Sequence, residues 1–379
     1  IVTGSSTVIC SEATQLAQYL PKVKPTVLFA VPRVWNKIYD GVQKLMAGQP
    51  VFQAALAARA KQRRGEQPTA EETEALANAE KNLFPLIRGA FGGQLRYACS
   101  GAAALSREVA EFMETLGIEV YEGYGMTETG GVTTSQPYGK IKLGSVGVPL
   151  PGVRLVLDKS APGAGPDEGE VIVYGTGVMS GYYKQNDATK SALTPDGGLR
   201  TGDIGRIDDE GYLYLTGRAK ELFKLENGKY VAPVPLEETL ALSPYITQAV
   251  VYGSGRPHNV ALIVPDQPAL AAWAKQNGVT VEGEALLSEP KVLALLEAEV
   301  DKANAEFKGY ERVKSFVVEA EEMNAANGLL TQTLKLKRKS FNDKYASVLD
   351  SLYPRQDESV PPRASYIREI KPGSSSKTA

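Results

Sequence analysis

The stretch LRYACSGAAALSREVAEFMETLGIEVYE, residues 95–122, decides the fold. LRYACS at 95–100 is a short apolar run, followed by the small-residue turn Gly101-Ala102-Ala103-Ala104. Ser106 then stands where a helix N-cap belongs, the helical pattern stops at Gly117, and a second apolar run, IEVYE, occupies 118–122. A strand-turn-helix-strand unit predicts a parallel, doubly wound α/β sheet, in which ligands sit beyond the carboxyl ends of the strands. Upstream, VLFAV at 27–31, closed by Pro32, predicts a buried parallel strand feeding a helix over Val34 to Leu45. Residues 51–83 read as helical and charge-rich, with Lys61, Gln62, Arg63 and Arg64 on a solvated face. The opening IVTGSSTVIC reads as a strand inside a fold, and its first residue is Ile1. An upstream segment is therefore expected, and targeting signals are not legible.

From Gly144 the rhythm changes. VRLVL at 153–157, EVIVY at 170–174 and YLYLT at 212–216 are short strands separated by Gly/Pro/Asp turns, which predicts a small antiparallel sheet or barrel ending at Gly217. Beyond it the pattern alternates: a helix near Pro235 to Leu242, strands near 248–252 and 259–264, helices near 267–276 and 290–305, a strand near 314–318 and a last helix to Tyr353. The expected domains are 1–143, part of a large α/β domain; 144–216, a barrel-like β subdomain; 217–220, a hinge; and 221–353, a mobile α+β domain. The tail 354–379 has prolines, a serine run and no apolar period, and is expected to be disordered.

At 379 residues there is room for two or three domains. With 42 Lys+Arg against 44 Asp+Glu, the net charge of −2 provides no global attraction for nucleic acid. A mean hydropathy of −0.20 and the lack of any 18-residue apolar run predict a soluble, cytoplasmic protein, with peripheral membrane contact left open. Two cysteines, Cys10 and Cys99, suit a reducing compartment and read as buried small apolar residues. A single histidine, His258, rules out multi-histidine zinc sites and argues against Ser-His-Asp hydrolysis.

Three segments carry chemistry: EGYGMTETGG at 122–131, LRTGDIG with GYLYLTGRAKELFKLENGKYVAP over 199–233, and GLLTQTLKLKRK at 328–339. In the first, Gly123 and Gly125 flank Tyr124, so that backbone could approach a planar ligand while the ring offers a stacking face. Thr127 supplies a hydroxyl, and Glu128 a hard oxygen for Mg²⁺. In TGD at 201–203 a carboxylate held by a Thr-Gly turn suits a pair of ribose hydroxyls, and Arg218 carries a fork that fits phosphate oxygens. Taken singly, each has a bland alternative: a capping Thr-Glu pair, an Asx-turn, a surface ion pair.

In this order and spacing the three segments resemble the signatures of the adenylate-forming acid-thiol ligase superfamily. KPTVLFAVPRVWNKIY at 24–39 and TLKLKR at 333–338 are similar to its long-chain fatty acyl-CoA synthetase branch. The resemblance implies ATP, Mg²⁺, coenzyme A and a fatty acid as ligands, and a two-step reaction through acyl-AMP. It implies nucleotide-binding roles for Gly101, Ala102, Ala103, Glu122, Gly123, Tyr124, Thr127, Asp203, Arg218 and Lys224. Gly101-Ala102-Ala103 would form a wall of the adenine slot and Asp203 would bind ribose. Lys220 would be a hinge, Gly228 would lie on the coenzyme A side, and Lys335 would bridge the carboxylate and the α-phosphate, with Thr127 and Glu128 beside it in the chemistry. Gln332 stands where the family's wording has proline. The family's Gly/Ser/Thr-rich triphosphate loop has no counterpart here, which implies a shortened member. Two other readings stay open: adenylation with transfer to a carrier protein, and an impaired fragment with a binding role. Chain length of the acyl group and oligomeric state are not legible.

Overall fold

The computed structural model describes residues 4–10, 15–103, 105–331, 335–353 and 363–366, without the side chain of Arg33. The chain divides into two units, Ile1–Leu215 and Thr216–Ala379.

In the first unit α1 (Leu16–Val23) leads into β1 (Val27–Ala30), and α2 (Pro32–Met46), α3 (Pro50–Arg63), α4 (Ala70–Asn78) and α5 (Phe84–Ala90) precede β2 (Tyr97–Ser100). Pro32 and Pro50 occupy first-turn positions, where a missing N–H costs nothing. Thr69 and Glu72 close a capping box at the start of α4. α6 (Arg107–Thr115) then feeds β3 (Val120–Met126), β4 (Gly131–Ser135) and β5 (Val148–Pro149), giving a five-stranded sheet in the order β1-β2-β3-β4-β5. It is parallel through β3, as the 95–122 pattern predicts, and antiparallel from β4 onward. The switch falls before Gly144, because the turn after β3 is too short for a crossover helix.

β1 is buried on one face only: Leu28 is covered, whereas Phe29 is 77% exposed at the sheet edge. The expectation of a fully buried strand fails on that face, and alternation across the pleat is the reason. Cys10 and Cys99 are both partly exposed, so neither is the buried apolar filler expected of it. Residues 4–10 form no strand. Lys61, Arg63 and Arg64 are spent on ion pairs with Glu72, Glu114 and Glu66, as befits a solvated face.

β6 (Arg154–Asp158), β7 (Gly169–Tyr174), β8 (Leu199–Ile207) and β9 (Leu213–Arg218) form a second sheet in sequential order, with the short helix α7 (Asn186–Ala192) between β7 and β8. β8 is absent from the expected strands, since TGD at 201–203 reads as a Thr-Gly turn. Gly202, at φ +72°, and a register shift against β7 interrupt the strand's apolar alternation. Two bonds, Val146 N to Leu213 O and Leu213 N to Gly147 O, both 2.8 Å, tie this sheet to the first.

The second unit opens with the small hairpin β10 (Phe223–Lys224) and β11 (Tyr230–Val231), followed by α8 (Pro233–Leu240), β12 (Ile246–Tyr252), β13 (Asn259–Pro265), α9 (Gln267–Gln276), α10 (Pro290–Asn304), β14 (Val313–Val318), α11 (Arg338–Asp350) and β15 (Ala364–Tyr366). All seven residues of β13 are buried. Ala261 and Ile263 pack toward α8, α9 and α10, while Val260, Leu262 and Val264 pack toward Phe341, Tyr345 and Leu349 of α11. A strand covered on both faces loses the period-2 signal and reads as a continuous apolar run. β15 corrects the expected disordered tail: Ala364–Tyr366 pairs parallel with Phe316–Val318, and Arg363 is ion-paired to Asp301. Three residues are too few for a sequence period, and this strand exists because β14 offers it an edge. Residues 354–362 and 367–379 lie outside the described residues.

Candidate active site

β3 delivers EGYGMTE. Tyr124, 9% exposed, packs its ring with Val146, Val171, Val173 and Leu213. Its hydroxyl donates to Asp203 Oδ2 at 2.6 Å, and Asp203 is 4% exposed. Asp203 is held from its own strand as well: its N–H donates to Thr201 Oγ1 (3.1 Å), and Thr201 Oγ1 donates to Val171 O (2.7 Å). The structure thus brings Tyr124 and Asp203 together, and gives the tyrosine a packed ring and a bonding hydroxyl in place of the open stacking face expected.

The flanking glycines lie against the neighbouring strand β4. A Cβ on Gly125 would lie 2.0 Å from Gly131 O on β4, and one on Gly123 would lie 3.2 Å from Thr134 O. Backbone-to-backbone approach at the β3/β4 register shift, between Tyr124 and Gly125, demands a glycine at 125 and crowds position 123.

Glu122 is 5% exposed, and its Oε2 accepts the Leu105 N–H at 3.2 Å. Burial pushes its carboxyl up to about 7, against a smaller lowering by that amide. On the adjoining parallel strand Ser100 is its register partner, and the buried Ser100 hydroxyl has no hydrogen-bond partner among the described residues. Gly101 follows, where a Cβ would stand 3.3 Å from Gly123 O. Ala102 then adopts φ +72°, a left-handed backbone that costs an alanine free energy, while Ala102 and Ala103 are exposed. Strain at the end of a parallel strand marks a built turn. Ala104 lies outside the described residues.

Past Met126 the chain makes a 3₁₀ turn over Thr127–Thr129. Thr129 Oγ1 accepts from Met126 N (3.1 Å) and donates to Gly131 O (2.8 Å), leaving Thr127 exposed and Glu128 half-buried. Tyr182, which the sequence reading did not single out, donates to Glu128 Oε1 at 2.8 Å. That bond, with some burial, holds the Tyr182 phenol above its ordinary range. No spacing signal announces a partner 54 residues away.

The second unit holds the other expected residues. Arg218 ends β9, half-buried, and its carbonyl accepts from Glu221 N (2.9 Å) and Leu222 N (2.8 Å), closing the turn on which exposed Lys220 sits. Lys224 lies on β10 with its ammonium 5.6 Å from the Tyr230 ring centroid, and Gly228, at φ +82°, makes the hairpin turn. Lys335 is exposed; its carbonyl accepts from Thr331 N (2.8 Å) and its N–H donates to Thr331 Oγ1 (3.0 Å). Gln332 lies outside the described residues.

Among the described residues no group of three His, Cys, Asp or Glu side chains could cage a metal, and no helix is long and apolar enough to cross a membrane. With Thr129 Oγ1 bonded inside the turn, Thr127 and Glu128 give a hydroxyl and a carboxylate, which suits a Mg²⁺ ion that keeps its waters and phosphate ligands.

Residues 1–183 match the family model described as AMP-binding enzyme, and residues 220–357 match that for the AMP-binding enzyme C-terminal domain. A long-chain-fatty-acid–CoA ligase, FadD15, of Mycobacterium bovis is 35% identical over 357 residues, spanning 91% of this chain and 58% of that protein. The peroxisomal long chain acyl-CoA synthetase 6 of Arabidopsis thaliana is 33% identical, spanning 92% of this chain and 51% of that one. The chain thus spans little more than half the length of these relatives. Among solved structures, the A domain of a carboxylic acid reductase from Segniliparus rugosus, in complex with AMP, aligns with TM-score 0.67 and 25% identity, over 91% of this chain and 50% of that chain.

Proposed function

We propose that this chain, which belongs to the AMP-binding enzyme family, works as a long-chain fatty acid–CoA ligase. A fatty acid carboxylate attacks the α-phosphate of Mg-ATP, releasing pyrophosphate and leaving acyl-AMP. The coenzyme A thiol then attacks the acyl carbonyl and AMP departs. Splitting the reaction makes a poor acyl donor reactive.

The observation that carries this reading is the buried Tyr124–Asp203 pair. A carboxylate oriented by a phenol and by a bulged strand is an acceptor suited to a ribose diol. Thr127 and Glu128, at the end of the same strand, would take phosphate and Mg²⁺, and the strained Gly101–Ala103 turn would wall the adenine. On the second unit, Arg218 would bind phosphate, Lys220 would act as a hinge between half-reactions, and Lys224 with the Gly228 turn would face the phosphate and thiol end. Lys335 would neutralise charge that develops between carboxylate and α-phosphate. The 35% identity to the FadD15 ligase, over an alignment spanning 91% of the chain, supports the fatty acid as acyl donor.

The test is AMP release and acyl-CoA formation over a series of fatty acids, with and without coenzyme A. Release that requires coenzyme A is expected. Release without it would favour transfer to a carrier protein.

A further inference from the structure

The turn that bears Thr127 and Glu128 is gripped by the loop between β7 and α7. Met179 N donates to Glu128 O at 2.8 Å. Gly177 lies so close that a Cβ there would stand 2.4 Å from Thr129 O, and a Cβ on Gly130 would stand 3.2 Å from Gly177 O. Tyr182 reaches past this backbone grip to the side chain itself, donating to Glu128 Oε1. The loop is itself pinned: Val178 N donates to Gly175 O (3.1 Å), Tyr182 N to Thr189 Oγ1 (2.9 Å), and Thr189 Oγ1 to Gln185 O (2.9 Å).

These contacts divide the labour. Main-chain contacts from Gly177 and Met179 place the turn, and the Tyr182 bond both reinforces that grip and orients a glutamate with three rotatable bonds. A donor on Oε1 sets the carboxylate plane and so the direction in which Oε2 points. We propose that Tyr182 is a positioning residue for the Glu128 carboxylate, acting through its hydroxyl from the 175–182 loop. The consequence for a phosphate-borne divalent cation rests on the reading of Glu128 given above. Outer partners of this kind commonly change metal affinity by about 10–100-fold when removed.

Tyr182→Phe removes the hydroxyl and keeps the ring. In the nucleotide-free chain, amide hydrogen exchange at Gly130 and Met179 should quicken about fivefold, the loss of one modest hydrogen bond. By calorimetry, the Mg²⁺ concentration for half-maximal ATP binding should rise about tenfold. AMP affinity measured without metal should stay within about twofold, since AMP needs no cation. Glu128→Gln, which keeps an acceptor for Tyr182 and weakens cation binding, should exchange at the wild-type rate. Unchanged exchange in Tyr182→Phe overturns the proposal, and so does an equal loss of AMP and Mg-ATP binding, which would assign Tyr182 to general packing. If exchange responds as expected while ATP binding by the wild type ignores Mg²⁺, the positioning role stands and the cation reading of Glu128 falls.

Discussion

The Tyr124 hydroxyl and the Asp203 carboxylate, 79 residues apart in sequence, meet at 2.6 Å where neither side chain has appreciable contact with water. The pair joins β3 of the first sheet to β8 of the second, so one bond holds a candidate ligand acceptor and couples two sheets. Water cannot replace a buried partner cheaply, and an ionised acceptor strengthens the bond.

Tyr124→Phe should therefore lower stability by about 1.5–3 kcal/mol, the usual worth of a hydrogen bond to a charged group. Urea unfolding followed by circular dichroism should show a lower midpoint with an unchanged slope. AMP affinity should fall as well, since Asp203 loses its orientation.

Glu122 makes stability depend on pH in a direction opposite to most carboxylates. The folded chain keeps its proton up to about pH 7, whereas the ordinary value for the group is 4.5. Between those values the unfolded chain binds fewer protons, so stability declines as pH rises through the window, by about 3 kcal/mol in total. Glu122→Gln keeps an acceptor for Leu105 and cannot ionise. Its melting temperature should match the wild type at pH 5 and exceed it at pH 8; equal values at both would refute the buried-proton account.

Gly125→Ala should abolish or severely impair folding, because its Cβ would stand 2.0 Å from the Gly131 carbonyl oxygen on the neighbouring strand. Gly41→Ala is the control. Gly41 is an exposed residue inside α2 with open space around its Cβ, and the change should stabilise by about 0.5–1 kcal/mol. Soluble yield and thermal melts of the two variants compare them directly.

In the second unit, Arg338 Nη2 donates to both oxygens of Glu237 at 2.9 Å, and Glu237 also accepts from Val251 N at 2.8 Å. Burial nevertheless pushes the Glu237 carboxyl above its ordinary value. Arg338→Ala should cost about 3–5 kcal/mol by stranding that carboxylate, whereas Arg338→Met with Glu237→Leu should recover most of the loss. Chemical denaturation of the single and double variants makes the comparison.

Lys335→Ala should slow adenylation about 10²–10³-fold while sparing thioester formation from supplied acyl-AMP, as expected for one preorganised donor. Lys339, exposed in the first turn of α11, should be nearly silent when changed to alanine. Single-turnover kinetics of each half-reaction separates the two lysines; similar losses for both would remove Lys335 from its proposed role.

The sequence by itself determined the parallel α/β rhythm of residues 27–122, an antiparallel sheet after Gly144, the α+β pattern of the second unit and the three motif-bearing segments. Each of these is a local pattern: strand alternation, helix caps, turn glycines and short motifs lie within a few residues of one another. Only the tertiary structure decided that the EGYG glycines yield to β4, that Tyr124 turns its ring into a core and its hydroxyl to Asp203, and that Glu122 holds its proton near pH 7. It alone revealed that Tyr182 is a partner of Glu128, that TGD lies within β8, and that Ala364–Tyr366 finds an edge to pair with. Pairing across 54 or 79 residues, burial of a carboxylate and the distance between two backbones are set by how elements pack. No spacing along the chain encodes them, because the solvent a side chain loses and the neighbour it gains come from segments remote in sequence.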